Sequence, residues 1–361
     1  MNTVITKKKH NFYAGPAILP ASVLKQATAA TEDFAGMGLS ILEISHRSPQ
    51  FTAVVEEATN LAKELLGLND DYEVLFLTGG ASSQFYMAPM NLLPQDGTAC
   101  YINTGTWSNK AIKEAKLFGE VVEVGSSKDE KFNYIPKGYT IPSDLDYLHL
   151  TSNNTIFGTQ IKKFPTVDAP LVCDMSSDIF SRQLDFSQFD LIYAGAQKNM
   201  GPAGATLVIV KEDILGKVSR KIPSMLDYQV HISKDSMFNT PSVFAVYVSM
   251  LTLEWLKNLG GISAIEKINE KKAQLLYSEI DLNPVFDGYA NKDDRSLMNA
   301  TFNITNDALK DTFDNMLYEA GINGLNGHRS VGGYRASMYN ALSLDSVGVL
   351  VDVMSEMERK G

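Results

Sequence analysis

A lysine that follows an apolar segment is the first candidate for chemistry in this sequence. Residues 190–194 (DLIYA) have the composition of a buried strand, and small residues lead from it to Lys198. Lysine is seldom fully buried, and a desolvated lysine has a lowered pKa and can form a Schiff base with a carbonyl compound. The glycine and alanine residues around Lys198 would allow a flat ligand to approach it. The alternative is a surface lysine in an ordinary hairpin.

Asp174 ends a second apolar segment, LVCD (171–174), and two serines follow it. In open α/β sheets, ligands bind at the carboxyl ends of the strands. Asp174 precedes Lys198 by 198 − 174 = 24 residues, about one strand and one crossover connection, so both side chains can reach the same crevice. The alternative is that Asp174 caps the next helix.

A carboxylate and a Schiff-base lysine in one crevice are what pyridoxal phosphate requires. The carboxylate keeps the pyridine nitrogen protonated, which makes the ring an electron sink. At ~4 Å and an effective dielectric constant of about 20, this pairing is worth about 4 kcal/mol. That energy corresponds to about three pKa units, enough to hold a proton that free solution would remove.

Two loops could complete such a cofactor site. In TGGASSQF (78–85), Gly79 and Gly80 permit close backbone approach, and the following helix offers free N–H groups to a phosphate. A plain tight turn is the alternative, and the pattern does not match GxGxxG, which disfavours a dinucleotide site. In NTGTWSN, Trp107 could stack on a planar cofactor or simply anchor the next helix.

Arginine and histidine residues are concentrated in two short loops. His46 and Arg47 form one pair, His328 and Arg329 form another, and Arg335 follows the second pair closely. Arginine guanidinium groups bind carboxylate and phosphate in a bidentate manner. The sequence thus predicts either a binding site for small anions or solvated surface loops.

The overall charge excludes several other functions. The 361 residues contain 32 Lys and Arg and 42 Asp and Glu, a net charge of −10, so the chain as a whole does not attract nucleic acid or anionic lipid. No apolar segment follows the basic residues 7–9, which disfavours a secretory signal, and the segment 243–256 is too short and polar to span a bilayer. Cys100 and Cys173 lie in apolar contexts without metal-ligand spacing, so we expect buried free thiols and a reducing cytoplasm.

Short apolar segments alternate with helical patterns over most of the chain. This alternation predicts an α/β domain with a mostly parallel sheet. The predicted strands are 73–78, 99–103, 121–124, 147–150, 171–174, 190–194 and 205–210, and the predicted helices include 21–35, 81–93 and 107–118. Another helix is predicted from Pro49 to Gly67, with Ser48 as its N-cap.

The pattern changes after residue 240. Two long helices (241–259 and 262–280) precede a strand-like LMNATFNI, a helix over 306–321, a short strand YRASMY and a final helix. We expect a large domain over residues 16–260 and a smaller α+β domain over residues 261–361, on which the N-terminal arm 1–15 would pack.

Taken together, these segments resemble the phosphoserine aminotransferases of the class-V group of pyridoxal phosphate enzymes. The resemblance covers nearly the whole chain, and the segments AGAQKNMGPAG, SMFNTP and GHRSVGGYRAS carry it most specifically. It implies the aspartate-aminotransferase-like fold, which is fold type I of pyridoxal phosphate enzymes, and no metal.

The resemblance also implies roles for individual residues in holding the cofactor. Lys198 would form the Schiff base and act as general base, Asp174 would pair with the pyridine nitrogen, and Trp107 would stack on the ring. The remaining cofactor-binding residues would be Ala81, Ser82, Thr155, Gln197, Asn239 and Thr240. Asn239 and Thr240 match a pair that reaches the phosphate from the other subunit, which implies a homodimer with shared active sites.

For the substrate, the resemblance implies anion binding by His46, Arg47, His328, Arg329 and Arg335. Some relatives carry an additional arginine where this chain has Ser82, so the distal anion would depend on the remaining cations. The implied reaction transfers the amino group of glutamate to 3-phosphohydroxypyruvate, reversibly, giving O-phosphoserine and 2-oxoglutarate in serine biosynthesis. Activity on the four-carbon phosphohydroxythreonine of vitamin B6 synthesis is implied as well.

Other functions stay open at this point. A cysteine desulfurase would need a cysteine on a mobile loop, whereas both cysteines lie in predicted strands, and Gln197 stands where desulfurases usually have histidine. An alanine–glyoxylate aminotransferase would leave the two His-Arg pairs unexplained. A regulatory protein that only binds the cofactor would be expected to carry a DNA-binding module, for which the segments leave no room.

Overall fold

The computed structural model describes residues 9–360, so residues 1–8 of the expected N-terminal arm lie outside the described part of the chain. The α-helices of this part cover most of the predicted helical segments. They are α1 (Ala21–Glu32), α2 (Pro49–Leu66), α3 (Gly80–Leu92), α4 (Thr106–Ala115), α5 (Tyr228–Ile232), α6 (Val243–Asn258), α7 (Gly261–Leu282), α8 (Lys310–Ala320) and α9 (Leu344–Lys360).

The strands are short, and most of those in the first 211 residues are almost completely buried. They are β1 (His10–Asn11), β2 (Tyr72–Leu77), β3 (Thr98–Asn103), β4 (Glu120–Ser126), β5 (Tyr147–Thr151), β6 (Asn153–Asn154), β7 (Thr159–Gln160), β8 (Leu171–Asp174), β9 (Leu191–Gly195), β10 (Thr206–Lys211), β11 (Phe286–Gly288), β12 (Asn299–Ile304), β13 (Ile322–Asn323) and β14 (Tyr334–Ser337).

A seven-stranded sheet in the order β2-β10-β9-β8-β5-β3-β4 forms the centre of the fold. Five neighbouring strands, β9, β8, β5, β3 and β4, run parallel, whereas β10 is antiparallel to both of its neighbours, β2 and β9. Helices and apolar clusters cover both faces, which explains why the central strands are continuous apolar runs rather than alternating ones. The predicted mostly parallel α/β sheet is confirmed.

The sheet brings separate parts of the sequence to one edge. β2, β3, β8 and β9 all point in the same direction, so the residues that follow them lie at the carboxyl edge. Asp174 is the last residue of β8, and Lys198 follows β9 by three residues. This edge is where ligands bind in open α/β sheets.

A second apolar cluster lies beyond α6. The antiparallel sheet β11-β12-β14 packs with α7, α8 and α9 around it, and β1 pairs in parallel with β13 beside it. Phe12 of the N-terminal arm is fully buried in this cluster. The division at residue 260 stays a prediction.

Local sequence signals account for the ends of several elements. Helix α2 begins as predicted: the hydroxyl of Ser48 accepts a hydrogen bond from the backbone N–H of Phe51, and Pro49 is the first helical residue. It ends at Gly67, which has φ +63°. The predicted helix over 306–321 is shorter in the structure, because Asn306 caps a 3₁₀ turn and the α-helix begins only at Lys310.

Two further findings concern the expectations drawn from composition. Cys100 and Cys173 are both free thiols with no exposed surface, in β3 and β8, as predicted. Within residues 9–360, no helix has the length and apolar character needed to cross a membrane.

We predict that Ser48→Ala lowers the free energy of unfolding by about 1 kcal/mol, because it removes the side-chain acceptor at the N-terminus of α2. Denaturant unfolding followed by circular dichroism would measure this loss. Ser48→Asp keeps an acceptor at the same position and is expected to retain most of the stability. Equal losses in the two variants would contradict the capping role.

Candidate active site

A cavity of about 440 Å³ opens at the carboxyl edge of the large sheet. It brings together nine of the residues predicted for the site from sequence: Ala81, Ser82, Trp107, Thr155, Asp174, Gln197, Lys198, His328 and Arg335. The volume lies in the range that small-molecule and cofactor sites have in proteins.

Lys198 lies partly buried in the wall of this cavity, in the loop that joins β9 to β10. Its Nζ atom donates a hydrogen bond to Oγ1 of Thr155 over 2.9 Å and lies 5.6 Å from the centre of the Trp107 ring. Burial lowers the pKa of Lys198 to about 8, with the charge of Asp174 opposing that shift and the charge of Arg335 adding to it. A lysine amine with this pKa is partly neutral, and therefore nucleophilic, near neutral pH.

Asp174 is 4% exposed, and its carboxylate faces the same cavity. Burial raises its pKa, while the positive charge of Lys198 and hydrogen bonds from Ser176 act in the opposite direction. Its Oδ1 atom accepts a hydrogen bond from the backbone N–H of Ser176 over 2.9 Å. A buried carboxylate that still has room for a partner favours a cationic N–H group of a ligand.

Helix α3 points its N-terminus at the cavity. Gly79 and Gly80 have φ angles of +97° and +66°, and no side chain caps the first turn. A Cβ atom at Gly79 would lie 1.8 Å from Oγ of Ser83, so the turn requires glycine. The backbone N–H groups around Ala81 and Ser82 therefore remain available to an anion such as a phosphate.

Trp107 supplies a planar wall at the start of α4. Its indole Nε1 is buried and has no hydrogen-bond partner among the described residues. Lys110, one turn further along α4, places its Nζ 4.8 Å from the centre of the same ring. The indole face is thus held near two cations, at the position where a flat ligand could stack.

Arg335 and His328 line the part of the cavity formed by the second half of the chain. Arg335, in β14, donates from Nη1 to the carbonyl of Thr155 over 3.4 Å, while its Nε is buried without a partner. Nδ1 of His328 accepts a hydrogen bond from the backbone N–H of Ser330, so the neutral ring carries its proton on Nε2. Burial and the charges of Arg335, Arg329 and Lys110 lower the pKa of His328.

Five predicted site residues do not line this cavity in the single chain. Arg47, Arg329 and Thr240 are exposed, Asn239 is half-buried, and His46 is half-buried with an unpaired Nε2. Asn239 lines a neighbouring cavity together with Thr78, Gly79 and Ser83. Their predicted contacts with cofactor or substrate stay predictions.

Sequence reasoning did not single out several residues of the site. Ala14 and Gly15 of the N-terminal arm line the cavity, and a Cβ atom at Gly15 would lie 3.5 Å from Cγ of Lys198. Asp178, one turn after Asp174, is buried and forms an ion pair with Arg182 over 3.0 Å. The spacing of four residues between Asp178 and Arg182 could have predicted this ion pair from the sequence. Nothing in the sequence predicted that Gly15 lies close to Lys198.

The residues of the cavity fit pyridoxal phosphate. They offer a primary amine for its aldehyde, a buried carboxylate for its ring nitrogen, an aromatic wall for its ring and free backbone amides for its phosphate. The guanidinium group of Arg335, which also lines the cavity, is a further candidate to bind an anionic group.

Comparison with known proteins agrees with this geometry. The family described as aminotransferase class-V matches residues 9–350. A phosphoserine aminotransferase of Flavobacterium psychrophilum is 66% identical over 354 residues, which cover 98% of this chain and 99% of that protein. This chain belongs to the phosphoserine aminotransferases, within class V.

Solved structures of phosphoserine aminotransferases also share the fold. The enzyme from Bacillus circulans subsp. alkalophilus is 44% identical with a TM-score of 0.95, over 98% of this chain and 99% of that chain. The enzyme from Trichomonas vaginalis, solved with pyridoxal phosphate bound, is 34% identical with a TM-score of 0.91, over 96% of this chain and 100% of that chain. The expected aspartate-aminotransferase-like fold is confirmed.

We predict that Asp174→Asn lowers the pKa of Lys198 below its value of about 8, because the carboxylate of Asp174 favours the charged lysine. Reductive methylation of the cofactor-free protein over a pH series, read at Lys198 by peptide mass spectrometry, would give the midpoint. The neutral amine would then predominate down to a lower pH than in the unsubstituted protein. A midpoint that is unchanged or higher would contradict the electrostatic coupling of the two residues.

Proposed function

We propose that this chain catalyses the reversible, pyridoxal phosphate-dependent transfer of an amino group from glutamate to 3-phosphohydroxypyruvate. The products are 2-oxoglutarate and O-phosphoserine, so the reaction belongs to serine biosynthesis. The observation that carries the proposal is the placement of the Lys198 amine and the Asp174 carboxylate in one cavity with Arg335, a partly unpaired arginine. Membership of the phosphoserine aminotransferases supports the choice of substrates.

Pyridoxal phosphate, when bound, supplies an electron sink that stabilises negative charge at the Cα atom of the amino acid. We assign its binding to residues of the cavity wall. Lys198 would hold the aldehyde carbon, Asp174 the ring nitrogen and Trp107 the ring face. The phosphate would bind at the N-terminus of α3, beside Ala81, Ser82 and Gln197, and Thr155 would contact the edge of the ring.

Lys198 is also suited to move the proton of the reaction. A general base works best when its pKa lies near the working pH, and the pKa of Lys198 is about 8. The Nζ atom can therefore take a proton from the Cα atom of the bound amino acid and return it. Thr155, which accepts a hydrogen bond from Nζ over 2.9 Å, holds the amine in the cavity.

The cations at the opening would bind the two anionic ends of the substrate. Arg335 lines the cavity and forms none of the ion pairs of residues 9–360, so its guanidinium group is suited to the α-carboxylate. His328 and Arg329, together with His46 and Arg47, would bind the distal group. Because none of the ion pairs formed by residues 9–360 uses any of these arginines, their charge remains available to ligands.

A single distal pocket must accept the carboxylate of glutamate as well as a phosphate. Arginine and histidine donors serve both groups. The same arrangement would also accept the four-carbon phosphohydroxythreonine of vitamin B6 synthesis. Ser82 adds no charge here, so the preference between these substrates depends on the histidine and arginine residues.

We further propose that the chain works as a homodimer in the cytoplasm. Arg47 and Thr240 are exposed and Asn239 is half-buried, and none of the three lines the cavity around Lys198 in its own chain. Their position supports a role at the cavity of a partner. In that arrangement, the Asn239–Thr240 pair would reach the cofactor phosphate of the other subunit.

Another class-V activity is the main competing hypothesis. The thiols of Cys100 and Cys173 have no exposed surface in strands β3 and β8, which disfavours a desulfurase that needs a mobile cysteine. A comparison of 3-phosphohydroxypyruvate with pyruvate and glyoxylate as amino acceptors would test the substrate assignment. We expect 3-phosphohydroxypyruvate to have much the highest kcat/KM, and a preference for glyoxylate would refute the proposal.

We predict that Lys198→Ala abolishes transamination and the yellow colour of the bound cofactor, because the variant has no amine to join to the aldehyde. Absorbance spectra and the half-reaction with glutamate would measure both losses. Lys198→Arg keeps the positive charge but has no such nucleophile, and we expect it to be equally inactive. Turnover with both substrates in either variant would exclude Lys198 as the essential amine.

We predict that Arg335→Ala raises KM for glutamate by about 10- to 100-fold, the usual effect of losing a charged hydrogen-bond partner of a carboxylate. The cofactor should stay bound, since its proposed contacts involve other residues. Steady-state kinetics and the visible spectrum of the same preparation would separate the two effects. Loss of the cofactor with an unchanged KM would show that Arg335 serves the cofactor instead.

A further inference from the structure

One buried side chain joins Lys198 to two separate segments of the chain. Asn199, the residue that follows Lys198, is 6% exposed. Its Nδ2 atom donates a hydrogen bond to the carbonyl of Ile179 over 2.8 Å, and its Oδ1 atom accepts one from the backbone N–H of Asn340 over 2.9 Å. A carbonyl can only accept and an N–H can only donate, so the two ends of this amide cannot be exchanged. The backbone of two other segments thus holds Asn199 in one orientation.

The first of these segments is the turn that follows Asp174. The N–H of Ile179 donates to the carbonyl of Met175 over 2.9 Å, which fixes Ile179 relative to the end of β8. The N–H of Met175 itself donates to a backbone carbonyl of β9 over 3.0 Å. The hydrogen bond from Asn199 to Ile179 therefore attaches Lys198 to a well-supported extension of the strand that carries Asp174.

The second segment follows β14. Asn340 lies 340 − 335 = 5 residues after Arg335, and its own Nδ2 atom donates to the carbonyl of Phe180 over 2.9 Å. The backbone around it is held by Lys272, a fully buried lysine whose Nζ donates to three carbonyls within residues 338–342 over 2.9, 2.9 and 3.2 Å. Because these buried hydrogen bonds would all have to break before it could move, this segment is a firm support.

Residues 196–200, which we call the lysine turn, carry Lys198 and depend on such outside support. The backbone hydrogen bond that closes the turn, from its last N–H to its first carbonyl, is long at 3.3 Å. The N–H of Ala17, in the segment before α1, donates to the carbonyl of Gln197 over 2.9 Å. The two hydrogen bonds of Asn199 add support from the segments that follow β8 and β14.

We propose that Asn199 is a positioning residue for Lys198: its two hydrogen bonds hold the lysine turn against the segments that follow β8 and β14. This inference deepens the proposed function, since it concerns the same catalytic amine. Asn199 does not line the cavity, so it acts through the backbone of its neighbour and not on a ligand.

The position of the lysine turn decides how well the amine is kept from water. Burial lowers the pKa of Lys198 to about 8. Without the side chain of Asn199 the turn would lose both attachments and admit water to the amine, and solvation of the charged form raises the pKa of a lysine. The charged groups that act on this amine are Asp174, Arg335 and Asp178. A substitution of Asn199 removes none of them.

The test compares Asn199→Ala with Asn283→Ala. Asn283 is a matched control that is 3% exposed: its Oδ1 atom accepts a hydrogen bond from the N–H of Val285 over 3.0 Å. Its Nδ2 atom donates to the carbonyl of Met354 over 3.0 Å and to Oε1 of Glu279 over 2.8 Å. Val285 and Met354 belong to the second apolar cluster, which contains no residue of the lysine turn.

The readout is the pH midpoint of reductive methylation at Lys198 in the full-length, cofactor-free protein. We expect Asn199→Ala to raise this midpoint by about half a pH unit, a part of the shift that burial causes, and Asn283→Ala to leave it unchanged. Both variants should lower Tm, because each leaves buried backbone groups without a partner. An unmoved midpoint in folded Asn199→Ala, or an equal rise in Asn283→Ala, would overturn the proposal.

The kinetics of the holoenzyme give a second readout. We expect Asn199→Ala to lower kcat by about 10-fold, because a small displacement of a reacting group slows a reaction strongly. KM for glutamate should change little, since Arg335 stays in β14, whose pairing with β12 does not involve Asn199. A higher KM with an unchanged kcat would contradict a role in positioning the amine.

Two further variants complete the test. Asn199→Ser leaves a smaller void and should show the same rise in the midpoint if the alanine variant does not fold. Asn340→Ala removes the hydrogen bond to Phe180 but keeps the backbone N–H that Asn199 binds, so it should raise the midpoint less. A larger rise in Asn340→Ala than in the Asn199 variants would assign the role to Asn340 instead.

Transamination by the unsubstituted enzyme is assayed separately. Its absence would refute the proposed function. Its presence, together with an unmoved midpoint in the Asn199 variants, would refute only the role of Asn199.

Discussion

Desolvation of one amine is the constraint on which the site depends. Lys198 must be buried enough to lose its proton near neutral pH, yet it must stay open to a ligand on one side. Burial lowers its pKa to about 8, and the carboxylate of Asp174 keeps the shift from going further. The sheet satisfies both demands, because its carboxyl edge places Asp174 and Lys198 at the ends of adjacent strands, β8 and β9.

The sequence made the central part of this site predictable. Lys198, Asp174 and the glycine pair before α3 follow apolar strands, and strand direction alone brings them to one edge. The closeness of Gly15 to Lys198 was not predictable in the same way, because contacts between residues so far apart leave no periodic signal. In the single chain, neither Arg47 nor Asn239 lines the cavity around Lys198, and their proposed roles would require a partner.

The net charge of −10 does not describe the charge of the cavity. Apart from Asp174, Asp178 and Asp294, the described acidic residues are exposed or half-buried. Lys198, Arg335 and His328, in contrast, lie together in one cavity. Within residues 9–360, Lys198 and Arg335 take part in no ion pair, although the carboxylates of Asp174 and Asp178 act on Lys198 from a longer distance. A protein with a net negative charge would thus be able to bind small anions at one place, as the proposed function requires.

The antiparallel strand β10 sets the spacing between two parts of the site. β10 lies between β2, which leads to α3, and β9, which leads to Lys198. Because β10 is antiparallel to both, it begins at the edge of the sheet where they end. With neighbouring strands about 4.8 Å apart, the ends of β2 and β9 are about 10 Å apart. In the proposed function, this spacing would match the distance from the aldehyde to the phosphate of the cofactor, with Lys198 at one end and the N-terminus of α3 at the other.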